Sequence, residues 1–233
     1  MAIFILFGLF AYNSLKKERR KSEDLLLNIL PKETAEELKK YGKTIPKNHP
    51  SATVMFCDVL GFTTISSSMT AEALVNMLDF YIQKFDEIIT RHGLEKIKTI
   101  GDAYMCAGGL HPISESENHA QKTIDAALEI RAFVEQSQEE MIRLYGHSFS
   151  FRIGINSGNV VSGVVGSKKY AYDIWGDTVN VASRMEQNSE PGQINITGQT
   201  YLMVKDLYKF NYRGRIIAKN KGELDMYFVE SKI

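Results

Sequence analysis

The first thing this sequence lacks is a surplus of charge. Its 233 residues carry 28 Lys and Arg against 28 Asp and Glu, so the net charge is zero. A nucleic-acid binder leaves a basic imbalance, and no nucleic-acid partner is expected. Cysteine is scarce as well. Cys57 and Cys106 are the only two, and both sit in apolar, strand-like runs. They read as small core residues rather than a disulfide framework, and a reducing cytosolic location fits. The five histidines, His49, His92, His111, His119 and His147, lack metal-ligand spacing. There is no internal repeat and no low-complexity segment. Nothing in the chain calls for a Ser-His-Asp or Cys-His arrangement. The N-terminal apolar run, MAIFILFGLFAY, has only twelve residues. As a helix it rises about 18 Å, short of a ~30 Å hydrocarbon core.

That run is followed by SLKKERRKSE. The basic cluster comes after the apolar stretch instead of before it, and no small-residue cleavage site appears, so a signal peptide is a poor fit. Lys16, Lys17, Arg19, Arg20 and Lys21 are what the cytoplasmic flank of a membrane helix carries. The expectation is that residues 1–12 are the end of a transmembrane helix of a longer membrane protein. The part that follows would then lie in the cytoplasm. Residues 13–47 read as a helical linker with a short heptad signal, and Pro31 interrupts it. KETAEELKKYG makes a second short helix ending at Gly42. Residues 43–50 hold two prolines without periodicity and read as a linker, with the main domain spanning 48–233.

From Ser51 onward strands and helices alternate. SATVMFCDV is strand-like. Leu74, Val75, Leu78, Ile82, Phe85 and Ile89 recur at helical spacing. GLEKIKTI and AYMCAGGL are two short strands joined at Gly101–Asp102. A long helix ends near Gly146. FSFRIGINSG and NVVSGVVG are expected as two strands meeting at Ser157–Gly158. The order β-α-β-β-α-β is a ferredoxin-like split unit, an antiparallel sheet with helices packed on it, α+β in class. A full core is affordable at 44% hydrophobic residues.

Two aspartates close strand-like segments: Asp58 in FCDVLGFT (56–63) and Asp102 in KTIGDAY (98–104). Two carboxylates at the ends of separate strands are what a paired Mg²⁺ site needs. Together with residues 151–197, which include FRIGINSG and YDIWGDTVNVASRMEQ, and with KNKGELDMYFV (219–229), they resemble the class III nucleotide cyclase catalytic domain. The resemblance spans roughly residues 48–230. Within that family the chain looks like an adenylyl cyclase of the homodimeric bacterial type.

The resemblance implies roles for individual residues. Asp58, Asp102 and the backbone carbonyl of Val59 would hold two Mg²⁺ or Mn²⁺ ions per active site. Phe62 and Thr63, turning into a helix after Gly61, would offer N–H groups to phosphate. Lys98 and Asp173 would read the purine. A cation donating to ring N1 and a carboxylate accepting from the 6-amino group select adenine, so ATP is the expected substrate. Guanylyl cyclases carry Glu and Cys there, and a guanylyl or relaxed-specificity cyclase is the alternative. Asn180 would position the ribose, and Arg184 would stabilise charge on the α-phosphate. Arg152 and Lys219 match triphosphate-contacting positions. The expected assembly is a head-to-tail homodimer with two shared sites. A non-catalytic module would normally lose a metal Asp or the Asn180/Arg184 pair. A diguanylate cyclase would need a different hairpin motif in place of KTIGDAY.

Overall fold

The computed structural model describes residues 2–111, 118–218 and 222–233. Packing divides the chain into two units, residues 1–47 with 162–173, and residues 48–161 with 174–233. The first holds helix α1 (Ala2–Leu27) and helix α2 (Lys32–Tyr41). Helix α1 stops before Pro31, since a proline disfavours helical backbone in the residue preceding it. Gly42 closes α2 in the left-handed region, its N–H returning to the Leu38 carbonyl. Lys39 Nζ meets Glu23 Oε1 at 2.5 Å, and Lys47 Nζ lies 3.1 and 3.2 Å from Glu33 and Glu37. Among the described residues no helix is long and apolar enough to cross a membrane.

The remaining elements are β1 (Lys47–Val59), α3 (Phe62–Ser67), α4 (Ala71–Arg91), β2 (Glu95–Ile100), β3 (Ala103–Gly108), α5 (His119–Tyr145), β4 (Phe151–Val165), β5 (Ala171–Trp175), α6 (Asp177–Gln187), β6 (Ile194–Thr197), α7 (Gly198–Val204), β7 (Tyr208–Ala218) and β8 (Gly222–Lys232). The sheet has eight strands in the order β2-β3-β1-β4-β6-β8-β7, with β5 paired to β4. The run β2-β3-β1-β4 is the ferredoxin-like order expected of the split unit. The sheet is mixed rather than purely antiparallel, because β4 and β6 pair in parallel.

Helix caps follow the sequence. Thr70 Oγ1 accepts from Ala73 N–H at the start of α4, and Asn118 Oδ1 accepts from the N–H groups of Ala120 and Gln121 at the start of α5. These helices close one face of the sheet. Met77, Tyr81, Phe85 and Ile88 of α4 and Ile124, Ala127 and Ile130 of α5 pack on Met55, Cys57, Tyr104, Cys106, Phe151 and Ile153. The alternate residues Val54, Phe56, Met105 and Ala107 form a smaller cluster with Ile174 and Ala182 of the other side. Both faces of β1 and β3 are therefore apolar, which explains the unbroken buried run Ala52–Cys57. Both cysteines are free and buried, as the composition predicted.

Two segments depart from expectation: residues 47–50, read as linker, already belong to β1, and β4 is longer than expected. Residues 151–165 form a single strand of fifteen residues, not two strands meeting at Ser157–Gly158. Gly158 serves close approach rather than a turn. A Cβ there would stand 2.6 Å from Thr178 Oγ1.

Candidate active site

Cys57 pairs with Tyr104 across β1 and β3, so Asp58 and Asp102 flank the open end of that ladder. Asp102 lies in the two-residue connection between β2 and β3, where Gly101 takes φ +64°. The two carboxyl groups interact. Burial pushes the Asp102 carboxyl above its ordinary value, and the charge of Asp58 and a hydrogen bond with it push the same way. Backbone N–H groups of Asp102 and Val59 offset part of this.

Arg152 enters from β4. Phe151 and Ile153 belong to the α4/α5 core, so Arg152 points to the opposite face, which is also the face of Asp58. Its Nη2 donates to Asp58 Oδ2 at 3.1 Å. Its Nε stands 2.5 Å from Glu186 Oε1, an ion contact without the alignment of a straight hydrogen bond. Its Nη1 reaches the Gln187 carbonyl at 3.4 Å.

Glycine spacing in β4 brings Glu186 there. A Cβ at Gly154 would lie 1.9 Å from the Glu186 backbone nitrogen, and one at Gly158 would strike Thr178. The two glycines are four strand residues apart, about 13 Å. Thr178 and Glu186 are eight helical residues apart, about 12 Å. Helix α6 thus lies antiparallel along β4, seated at both ends where β4 has no side chain. Asn156 Nδ2 donates to the Thr178 carbonyl at 3.1 Å, and Thr178 Oγ1 to the Asn159 carbonyl at 2.7 Å, fixing its first turn.

Glu186 is the site residue that sequence reasoning missed. Burial pushes its carboxyl up to about 7; Arg152 opposes the shift and Asp58 reinforces it. A signal was present. Thr178, Val181, Ala182, Met185 and Glu186 form the buried stripe of α6, and a carboxylate at a core position demands a partner.

The other predicted residues fall as follows. Lys98 pairs with Met105, the cross-strand partner of Phe56, which places it on the Asp58 face. A bulge between Lys96 and Lys98 sets that register. Phe62 and Thr63 open α3 behind Gly61, whose φ is +69°. Val59 is buried at the end of β1. Asp173 lies on β5. Asn180 is exposed and Arg184 half-buried on α6, and neither side chain has a hydrogen bond or ion pair among the described residues. Lys219 lies outside the described residues. Trp175 is 40% exposed.

Among the described residues there is no cluster of three or more Asp, Glu, His or Cys arranged to hold a metal ion. The donor set at the end of β1 is smaller: two interacting carboxylates plus main-chain oxygens. That set suits Mg²⁺, which binds through one or two carboxylates and keeps waters and substrate phosphates for its other positions. The mutual repulsion at Asp102 is relieved by a cation, so the residues fit one.

Fold and site together define a nucleotide cyclase catalytic domain. The chain belongs to the adenylate and guanylate cyclase catalytic domain family, whose model matches residues 45–231. It is 38% identical over 216 residues to an adenylate cyclase of Mycobacterium tuberculosis, covering 92% of this chain and 47% of that protein. It is also 38% identical over 222 residues to a receptor-type guanylate cyclase of Caenorhabditis elegans, covering 93% of this chain and 19% of that one. The chain thus spans about half of the first relative and a fifth of the second. Among solved structures, the adenylyl cyclase CyaB from P. aeruginosa superposes with TM-score 0.75 at 28% identity, covering 81% of this chain and 97% of that one. The catalytic core of a rhodopsin-guanylyl cyclase with converted specificity, in complex with ATPalphaS, superposes with TM-score 0.74 at 35% identity, covering 81% and 99%. Class III cyclases use divalent metal ions, bind nucleotide and often dimerise.

Proposed function

We propose that this domain is an adenylyl cyclase. It converts ATP to 3′,5′-cyclic AMP and pyrophosphate by in-line attack of the ribose 3′-hydroxyl on the α-phosphate. Adenylate and guanylate cyclases are equally similar to it in sequence, so overall identity does not choose the base. Lys98 and Asp173 carry the choice. A half-buried cation donating to N1 and a carboxylate accepting from the 6-amino group leave guanine's polar edge unpaired.

The observation that carries the chemistry is the interacting pair Asp58–Asp102, with Arg152 on the same sheet face. Asp58, Asp102 and the Val59 carbonyl would hold two Mg²⁺ or Mn²⁺ ions. When bound, the ions lower the pKa of the 3′-hydroxyl and neutralise the triphosphate and the leaving pyrophosphate. Arg152 and Lys219 hold the triphosphate, and the turn at Phe62 and Thr63 offers N–H groups to it. Asn180 orients the ribose. Arg184 donates to the charge that develops on the α-phosphate.

The active form in this reading is a head-to-tail homodimer with two shared sites. Asp58, Asp102 and Arg152 come from one protomer, and Lys98, Asp173, Asn180, Arg184 and Lys219 from its partner. Asn180 and Arg184 support this, because their side chains make no hydrogen bond or ion pair among the described residues and are available to a second chain. The basic cluster at residues 16–21 supports a cytoplasmic catalytic domain attached to the cell membrane through the N-terminal helix of a longer protein.

The test is a comparison of kcat/KM for ATP and GTP, with Mg²⁺ and with Mn²⁺, in the wild type and in Lys98→Glu/Asp173→Cys. Wild type should prefer ATP, and the double variant should admit GTP. A wild-type preference for GTP would overturn the adenylyl reading. An unchanged ratio in the variant would place base choice on other residues.

A further inference from the structure

We infer that Glu186 is the positioning residue for Arg152, gripping the guanidinium at Nε and aiming its outer edge at the nucleotide triphosphate. The inference rests on the triphosphate role proposed for Arg152 and deepens it.

The argument begins with placement. Glu186 is 4% exposed and sits on the apolar stripe of α6. A buried carboxylate is costly unless paired, and an apolar side chain would stabilise this contact at least as well. Packing alone therefore does not account for an acid at this position. The acid's backbone is also held without slack, because Gly154 leaves α6 in direct contact with β4. The carboxylate is thus a fixed anchor, not a flexible arm.

Donor geometry completes the case. A guanidinium offers five N–H donors in a rigid fork. Here Nε makes an ion contact with Glu186 Oε1 rather than a hydrogen bond, Glu186 also contacts Asp58, and Nη1 donates to the Gln187 carbonyl at the negative C-terminal end of α6. Both Arg152 contacts lie on the helix side. Only Nη2 points across the site, to Asp58. Two contacts to α6 and a third to Asp58 hold the charge in place before a ligand arrives, so little side-chain entropy is lost on binding. A cation held by Asp58 would compete with Nη2 for its oxygens and would leave Nη2 available to a phosphate oxygen, with Glu186 still beside Nε. Arg184, two positions earlier on α6, faces away from this contact and is half-buried with no anchor of its own. The helix thus presents one arginine outward and locks another, from β4, behind it.

The test is a double-mutant cycle on Arg152→Ala and Glu186→Gln. It reads the Kd of 3′-deoxy-ATP, which binds but cannot cyclise, along with KM and kcat for ATP and the melting temperature. Arg152→Ala should weaken analogue binding at least about tenfold, the scale of a hydrogen bond to a charged group. Glu186→Gln keeps the shape of the side chain. Alone it should weaken binding about three- to tenfold, acting mainly on KM, with the melting temperature nearly unchanged. On the Arg152→Ala background it should change affinity less than about twofold, since the group it positions is gone. Equal effects in both backgrounds, or none in either, overturn the inference. So does a large loss of melting temperature with affinity unchanged, which is the signature of a purely structural acid. If Arg152→Ala itself binds the analogue like wild type, the triphosphate reading of Arg152 fails, which is a separate outcome.

Discussion

A Cβ placed on Gly154 would stand 1.9 Å from the backbone nitrogen of Glu186. No real side chain tolerates that approach, and the obstacle is main chain that cannot rotate away. Gly154→Ala must therefore lift the C-terminal end of α6 off β4. Overpacking usually costs about 1–3 kcal/mol, and this contact belongs at or above the top of that range. The variant should melt at a lower temperature and lose activity, because Glu186 and Arg184 move with the helix. A melting temperature within a degree of wild type would contradict the seating of α6 described above.

Asp58→Ala and Asp102→Ala should each abolish cyclic-nucleotide formation and leave the fold intact. Changing the outer partners of metal ligands alone costs about 10–100-fold, and loss of a ligand should exceed that. Folding should survive because both carboxylates lie at the open end of the β1–β3 ladder, outside the two apolar clusters, and the charge of Asp58 disfavours that of Asp102. Cyclase assay and thermal melting check both halves. Near-normal turnover in either variant would remove the metal assignment.

Asp102→Ala and Asn180→Ala should complement. Each alone is expected to be nearly inactive. Mixed, a heterodimer has one site with both lesions and one with neither. Random pairing makes half the dimers mixed, each with one good site of two, so about a quarter of wild-type activity should return. If the two never complement on co-expression, the sites are built within single chains.

His119 predicts a pH effect on stability. It is buried, with Nδ1 2.7 Å from Thr53 Oγ1 and Nε2 2.9 Å from Ser51 Oγ. Burial holds its imidazole below the ordinary value of 6.5. In the unfolded chain it protonates near that value, while in the fold it resists. Below about 6.5 the unfolded state binds more protons, so stability is full at neutral pH and falls as the pH drops. Glu95, His111 and Lys122 line the same small cavity. The comparison therefore needs His119→Gln. The gap in melting temperature between wild type and variant should narrow from pH 7.5 to pH 5.5, and a constant gap would refute the assignment.

Much of this protein is written in local pattern. The period of Leu74, Leu78 and Phe85 marks α4, Gly42 and Gly146 mark helix ends, and β-α-β-β-α-β gives the strand order through Phe151. Asp58, Asp102 and Lys98 stand out as candidates because their types and motif order are chemical signals that need no coordinates. Three things were not legible. Gly158 looked like a turn because glycine in a strand has no local signature separating a turn from a close approach. The common face of Lys98 and Asp58 depends on a bulge at Lys96–Lys98, a one-residue register choice made by cross-strand pairing. Glu186 was hidden because its meaning lies in Arg152 and Gly154, more than thirty residues away in the chain. Sequence alone determined which candidate groups this chain carries and in what order. Tertiary structure decided which of them touch, because contact across a sheet is set by packing of the whole layer and not by the spacing of neighbours.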